Sequence, residues 1–415
     1  MSDILSQGGD REPRRRWRWV IPLAVLAAVT VLIVQHLPHH RHGPAHRSAS
    51  PGQTALPLVP VGLHVREPGG VSGLPMSRDH SLRLPLAGPR PAWLSLGTGR
   101  EQVIRGLPRD ESGYQFNRVP GGWAVQAGSG GPVRCGSCAG PQVPVYFLAD
   151  GAQSATRLGT ANLVAPGASA NPLWLTSYPP GTDMRTTAAT AQEVSLTGAP
   201  SGHSFRLPPG YAIDQATDRG LLLSSTAQPG TPVSTLWSPA TAQVSRSFDG
   251  VIAASATRVA WATRCAPLCH VRVLDLATGQ QTAIALPGAS SAVNGAFSPD
   301  GRFLAIQVSF NNRGDDGALA MQLDVASIAR SSPVASGTPV ASGPAVASSR
   351  PVPVPGMNVS SDALVSFGWP ARGDDLVAEL SFITKVQVAS WYPGARQLAV
   401  AVINAGPESG SLILR

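Results

Sequence analysis

A turn-rich, all-β domain carried behind one N-terminal membrane helix is the fold class the sequence predicts. Three observations lead there. An uninterrupted apolar run follows a cluster of arginines near the start. Of the 415 residues, 44 are Gly and 39 are Pro, which leaves little room for long helices beyond that run. The rest contains short segments whose apolar residues alternate with a period of two, bounded by turn residues.

The apolar run extends from Trp19 to Leu37, interrupted only by Thr30, Gln35 and His36. At a helical rise it covers roughly 28 Å, close to a hydrocarbon core of about 30 Å. Arg14, Arg15, Arg16 and Arg18 precede it, and Trp17 and Trp19 suit the interface. Positive charge stays inside, so residues 1–16 read as a cytoplasmic tail, 17–37 as the helix, and the bulk as exported. A cleaved signal peptide needs small residues just after the run. Gln35-His36-Leu37-Pro38-His39-His40 offers none, and no cysteine follows for lipid attachment. An uncleaved single-pass anchor at the cell membrane is the expectation. Residues 38–58 read as a Pro/His-rich stalk; its histidines, among them His39, His40, His42 and His46, lack a Cys or carboxylate to complete a metal site.

The net charge of +8 has no single location. Residues 1–50 hold seven Arg against three acids, and the remaining chain holds 24 Arg and Lys385 against 21 acids. The outer part is thus only mildly basic with scattered arginines, which argues against nucleic-acid binding.

Within 59–415 the sharpest local signal is Phe297-Ser298-Pro299-Asp300-Gly301-Arg302-Phe303-Leu304-Ala305. Pro-Asp-Gly is a tight-turn sequence in which Gly supplies the positive φ. After it Leu304, Ile306, Val308 and Phe310 alternate with Phe303, Ala305, Gln307 and Ser309, the pattern of a strand. Related steps are Phe367-Gly368-Trp369-Pro370 running to Leu376-Val377-Ala378, and Trp391-Tyr392-Pro393-Gly394 running to Leu398-Ala399-Val400. Leu236-Trp237-Ser238-Pro239 and Val271 to Gly279 also read as strands entering turns. Further strands are expected at 123–126, 145–148 and 173–176. The 297–305 stretch resembles the repeat of TolB-type and WD-repeat-like β-propellers, in which such a run joins two blade strands. That resemblance implies an all-β propeller of about seven blades, six or eight also fitting a repeat of about 40–50 residues. A β-sandwich array is the alternative. Ser331 to Pro355, where Pro-Val-Ala-Ser-Gly recurs, reads as a low-complexity loop insert.

The four cysteines form two local pairs, Cys135-x-x-Cys138 and Cys265-x-x-x-Cys269. In an exported domain such pairs read as disulfides. A four-cysteine zinc site would need distant loops to meet, and redox exchange would want its CxxC at a helix start, which Gly136, Gly140 and Pro141 oppose. Asn311, Asn312, Asp315 and Asp316 do not have the spacing of a calcium loop, and the Arg-Gly-Asp triplets at 313–315 and 372–374 read as turns. No G-x-S-x-G elbow or H-E-x-x-H helix occurs. Asp300 reads as a turn residue, and no catalytic, cofactor or metal residue is assigned.

The functional expectation is a membrane-anchored, extracytoplasmic binding or scaffolding module whose partner is an envelope protein, peptide or glycan. The competing expectation is a surface hydrolase or lyase with its site at the channel mouth. A sensor is a third, and its short tail would need a cytoplasmic partner.

Overall fold

Turn residues at short intervals fold the chain back on itself, and a computed structural model shows the result as successive antiparallel meanders. It describes residues 71–72, 83–86, 91–95, 100–108, 114–128, 137–168, 172–226, 233–262, 265, 268–311, 319–328, 345–352, 364–369, 376–381, 385–391 and 399–404. The expected tail, membrane helix and stalk lie outside them. Among the described residues every regular element is a strand, and there is no helix long and apolar enough to cross a membrane.

In chain order, β1 is Val71–Ser72. Blade 1 holds β2 (Arg83–Leu86), β3 (Ala92–Ser95) and β4 (Glu101–Val103). Blade 2 holds β5 (Tyr114–Val119), β6 (Gly122–Ala127), β7 (Val143–Ala149) and β8 (Thr156–Ala161). Blade 3 holds β9 (Leu163–Pro166), β10 (Pro172–Ser177), β11 (Thr190–Ser195) and β12 (Pro200–Arg206). Blade 4 holds β13 (Tyr211–Thr217), β14 (Gly220–Ser225), β15 (Val233–Ser238) and β16 (Gln243–Asp249). Blade 5 holds β17 (Val251–Ala254), β18 (Arg258–Ala262), β19 (Cys269–Asp275) and β20 (Gln281–Leu286). Blade 6 holds β21 (Ser291–Phe297), β22 (Phe303–Asn311), β23 (Leu319–Ser327) and β24 (Ala345–Val352). Blade 7 holds β25 (Leu364–Gly368), β26 (Leu376–Ser381), β27 (Lys385–Trp391) and β28 (Ala399–Asn404).

The first strands of neighbouring blades lie side by side: β5 by β9, β9 by β13, β17 by β21, β21 by β25. Blades 2 to 7 therefore have the first strand innermost and the fourth towards the rim. Packing then closes a ring. One apolar cluster joins blade 2 to blade 3 through Val145, Leu158, Leu173 and Leu175. Others join blades 3 and 4 (Trp174, Leu223, Trp237), 4 and 5 (Leu222, Leu236, Phe248, Val259), 5 and 6 (Val271, Ile284, Leu304, Ile306), and 6 and 7 (Ala305, Leu323, Phe367, Trp369). The last brings Val377 and Val388 of blade 7 together with Leu84 and Trp93 of blade 1 and Phe116 and Trp123 of blade 2. β1 adds to the outer edge of blade 7 by pairing with β28, so the N-terminal end of the ring fastens the C-terminal one. This is a β-propeller, with seven blades among the described residues.

That geometry explains the strand patterns. A blade is buried on both faces, so the alternation within a second strand sorts residues between two cores, as in any strand covered on both sides. In β22, Leu304, Ile306 and Val308 enter the blade 5–6 core, while Ala305 enters the blade 6–7 core. In β14, Leu221 and Leu223 face blade 3 and Leu222 faces blade 5.

Two sequence readings change. Residues 345–352, inside the expected loop insert 331–355, form strand β24. Its first half pairs parallel with β20 and its second half antiparallel with β23, joining blades 5 and 6 at the rim. The strand holds because its side chains have two cores to enter: Val352 is 2 % exposed in one, and Ala347 packs against the other. Asp324 of β23 secures it by accepting a hydrogen bond from Ser349 Oγ at 2.6 Å. The second change concerns the steps that look like copies of 297–305. Residues 298–302 and 369–375 do join first to second strands, but 239–242, 276–280 and 392–398 join third to fourth strands.

Candidate functional site

Three places gather polar chemistry: the end of the ring formed by the first-to-second-strand turns, the innermost strand of blade 4, and the cleft between blades 4 and 5.

At the turn end, a cavity of about 650 Å³ is lined by turns of blades 2, 3, 5 and 6 and by Trp369. Here stands the expected turn motif. Phe297 ends β21; the Ser298 N–H donates to the Phe303 carbonyl at 2.9 Å, and the Gly301 N–H to the Ser298 carbonyl at 2.8 Å. Gly301 takes φ +70°, the left-handed conformation that a side chain would strain. Pro299 and Asp300 occupy the turn itself. The Asp300 carboxylate accepts from Ser298 Oγ at 2.7 Å, from the Arg302 N–H at 3.0 Å and from the Arg302 guanidinium. Burial pushes this carboxyl up, but those donors and the Arg302 charge outweigh it and hold the pKa below its ordinary value. Asp300 thus stays ionised as the anchor of its turn.

The arginines at this mouth are similarly engaged. Arg118 forms a bidentate pair with Asp150, 2.8 Å from Nη2 to Oδ2, with its guanidinium 5.3 Å from the Trp123 ring centre. Arg258 is 8 % exposed. It donates to the Gly301 carbonyl and lies 3.6 Å from the Asp275 carboxylate, tying the blade 6 turn to blade 5. Trp369 Nε1 donates to the Ala296 carbonyl at 3.0 Å, tying blade 7 to blade 6. The charged groups here are spent on the protein itself: Arg118 within blade 2, Arg302 within its own turn, and Arg258 within blade 5 and across to blade 6.

On the innermost strand of blade 4, a bulge between Ile213 and Gln215 re-aims Asp214, whose carboxylate accepts from Ser224 Oγ at 2.7 Å. Asp214 is exposed at its surface, yet protein surrounds it at longer range, and that desolvation raises its pKa to about 6 against the opposing effect of the Ser224 hydrogen bond. A carboxyl there exchanges a proton close to neutrality. It lines neither of the two cavities described here.

The cleft between blades 4 and 5 is larger, about 860 Å³, and its walls include Arg246, Phe248, Asp249, Trp261 and Arg272. Phe248 and Trp261 meet with ring centres 5.2 Å apart and planes at 57°. The Arg246 guanidinium sits over both, 5.3 Å from the first ring and 5.6 Å from the second. Trp261 on β18 lies directly across from Arg272 on β19, which is exposed. Among the described residues neither Arg246 nor Arg272 has an ion-pair partner. Stacking orients a guanidinium while leaving its in-plane N–H donors for an anion. The cleft thus presents two guanidinium groups, one stacked and one exposed, above an aromatic floor.

Cys265 lines the same cleft and is disulfide-bonded to Cys269, which is buried in the blade 5–6 core. Cys138 is also disulfide-bonded, and Cys135, its expected partner, lies outside the described residues. So do the Arg-Gly-Asp triplets, Asn312, Asp315, Asp316 and the stalk histidines. Cys138 belongs to blade 2, and Cys265 and Cys269 to blade 5. Arg246, Arg272, Trp261 and Asp214 were not singled out from the sequence. Arg246-x-Phe248 on one strand was the available signal, but the ring that completes it comes from another blade.

No protein-family profile matches this chain, and no curated protein does. Among solved structures it is similar to hydrazine synthase of Kuenenia stuttgartiensis (9 % identity, 68 % of this chain and 78 % of that one, TM-score 0.42). It is similar to TolB of Acinetobacter baumannii (9 % identity, 80 % and 64 %, TM-score 0.38). It is also similar to the β-propeller domain of the Trilobed protease of Pyrococcus furiosus, described as having an open velcro topology (8 % identity, 71 % and 85 %, TM-score 0.42). The assignment of the fold rests on the strand order and the ring of cores.

Proposed function

We propose that this chain is a membrane-anchored, extracytoplasmic β-propeller that acts as a binding or scaffolding module at the cell envelope. The observation that carries the binding role is the blade 4–5 cleft, where Arg246 is oriented by two aromatic rings and left open to a ligand. The anchor and its orientation rest on the apolar run 19–37 and the arginines before it. The Cys265–Cys269 disulfide supports an oxidising compartment. A propeller suits the role because its blades are fixed by shared cores, so a surface shared by two of them keeps its shape.

Crosslinking on intact cells, followed by purification of the full chain, tests the proposal against a variant lacking residues 38–58. A reproducible envelope partner that is lost in the variant is the expected result. Recovery of the same proteins from both would contradict it. A second reading, a surface hydrolase or lyase, is favoured by Asp214, whose pKa near 6 suits a general acid. Turnover of envelope glycans or peptides that disappears in Asp214→Asn would establish that reading instead.

A further inference from the structure

The cleft has a feature beyond its arginines: its blade 4 wall is the edge of a sheet. β16 is the last strand of its blade, paired with β15 on one side and, among the described residues, with no strand on the other. Its seven residues include neither Pro nor Gly, and most are exposed. Such an edge presents unpaired N–H and C=O groups, a template for another strand, and proteins usually blunt or cover it. β16 has one register shift of its own, at Ser245 between Val244 and Arg246, but the other rims carry more. β12 carries Pro200 and Gly202, β8 carries Gly159 beside a register shift, and the rims of blades 5 and 7 are covered by β24 and β1. Strand addition at a rim is therefore something this ring already does twice with its own chain.

The chemistry beside the β16 edge defines what would add there. Arg246 lies within the strand, with Arg272 and Trp261 on the facing blade, so two guanidinium groups meet one carboxylate, Asp249, along the cleft. Val244 of the strand, 53 % exposed, and Val293 on the cleft wall, 52 % exposed, offer apolar contacts. An alternating sequence of acidic and apolar residues complements this surface, since successive side chains of a strand point to opposite faces. An acidic glycan could use the arginines and the indole, but it has no use for a backbone edge.

We propose that an extended acidic peptide segment of a partner protein adds as a strand to β16 and places a carboxylate on Arg246 and Arg272. This deepens the binding-module reading and rests on it. Main-chain hydrogen bonds would supply affinity, and the charge-assisted bonds to the arginines would supply selectivity.

The test is fluorescence anisotropy of the full-length chain with a labelled peptide of about ten alternating Glu and Val residues, a typical upper strand length. Three competitors accompany it: the Gln/Val peptide, the Glu/Val peptide with a central Pro, and polygalacturonate. The expected result is saturable binding that weakens with salt, falls about tenfold in Arg246→Gln or Arg272→Gln, and falls further in the double variant. The Gln/Val and Pro-containing peptides should compete at least about tenfold more weakly than Glu/Val. Arg272 is exposed, so its variant serves if the Arg246 variant folds poorly. Equal binding to wild type and folded variants would overturn the site, equal competition by the Pro peptide would overturn strand addition, and stronger competition by polygalacturonate would make it a glycan site. If the partner crosslinked on cells persists with the double variant, this cleft is refuted while the module reading stands. If wild type captures no partner, that reading itself fails.

Discussion

Arginines at two openings of one ring have opposite situations. At the turn end, Arg118 and Arg258 are paired with Asp150 and Asp275, and Arg258 also holds a carbonyl of the next blade. In the blade 4–5 cleft, Arg246 rests on aromatic faces and Arg272 stands exposed. The residue type is the same and the work differs. A guanidinium whose donors are spent on the protein stabilises the ring, and one that is oriented but has no ion pair among the described residues is available to a partner. Counting arginines in the sequence cannot separate the two, because the carboxylates that consume them lie far along the chain.

The comparison breaks first at Arg258. Arg258→Gln takes the guanidinium away from the Gly301 carbonyl and from the partly buried Asp275 carboxylate, which keeps its Ala277 and Thr278 donors, and should cost about 3 kcal/mol in urea denaturation. A loss below about 1 kcal/mol would place Arg258 with the unspent arginines. Asp214, outside both openings, is a control with its own pH signature. Its folded pKa of about 6 exceeds the ordinary 3.8, so the native state holds the proton longer, and the stability this gives is complete below about 4 and lost as pH rises through 6. Asp214→Asn should therefore be more stable than wild type at pH 8, by roughly 1 kcal/mol after allowance for its solvent contact, and show no gain at pH 4. Thermal melts at the two pH values check it. Arg118→Gln should cost less, about 0.5–1 kcal/mol, because its pair with Asp150 is partly solvated. A double-mutant cycle with Asp150→Asn would measure the coupling.

The sequence was legible where the signal is local. Pro299-Asp300-Gly301 specifies its turn through side-chain and φ requirements that need no distant partner, and the strands around Trp123, Val145 and Leu173 follow from alternation and turns. Features set by pairing between blades were not legible. Residues 345–352 look like the low-complexity tract before them, and they become a strand because β20 and β23 offer edges and two cores accept Ala347 and Val352. The turn after Trp391 resembles the one after Phe297, yet it joins third and fourth strands, because the first-to-second and third-to-fourth connections both reward tight-turn residues. The stacked Arg246 likewise depends on Trp261 arriving from the adjacent blade. Local chemistry announces turns, and only the closed ring decides which side chains meet.

If the cleft arginines are held for recognition and not for stability, removing both should change stability least of all. Urea denaturation of the full chain should compare the Arg246→Gln/Arg272→Gln double variant with Arg258→Gln. The double variant should unfold within about 1 kcal/mol of wild type, the loss of a half-buried cation–π contact, while Arg258→Gln falls by about 3 kcal/mol. A double variant that loses as much as Arg258→Gln would show instead that the cleft arginines hold blades 4 and 5 together.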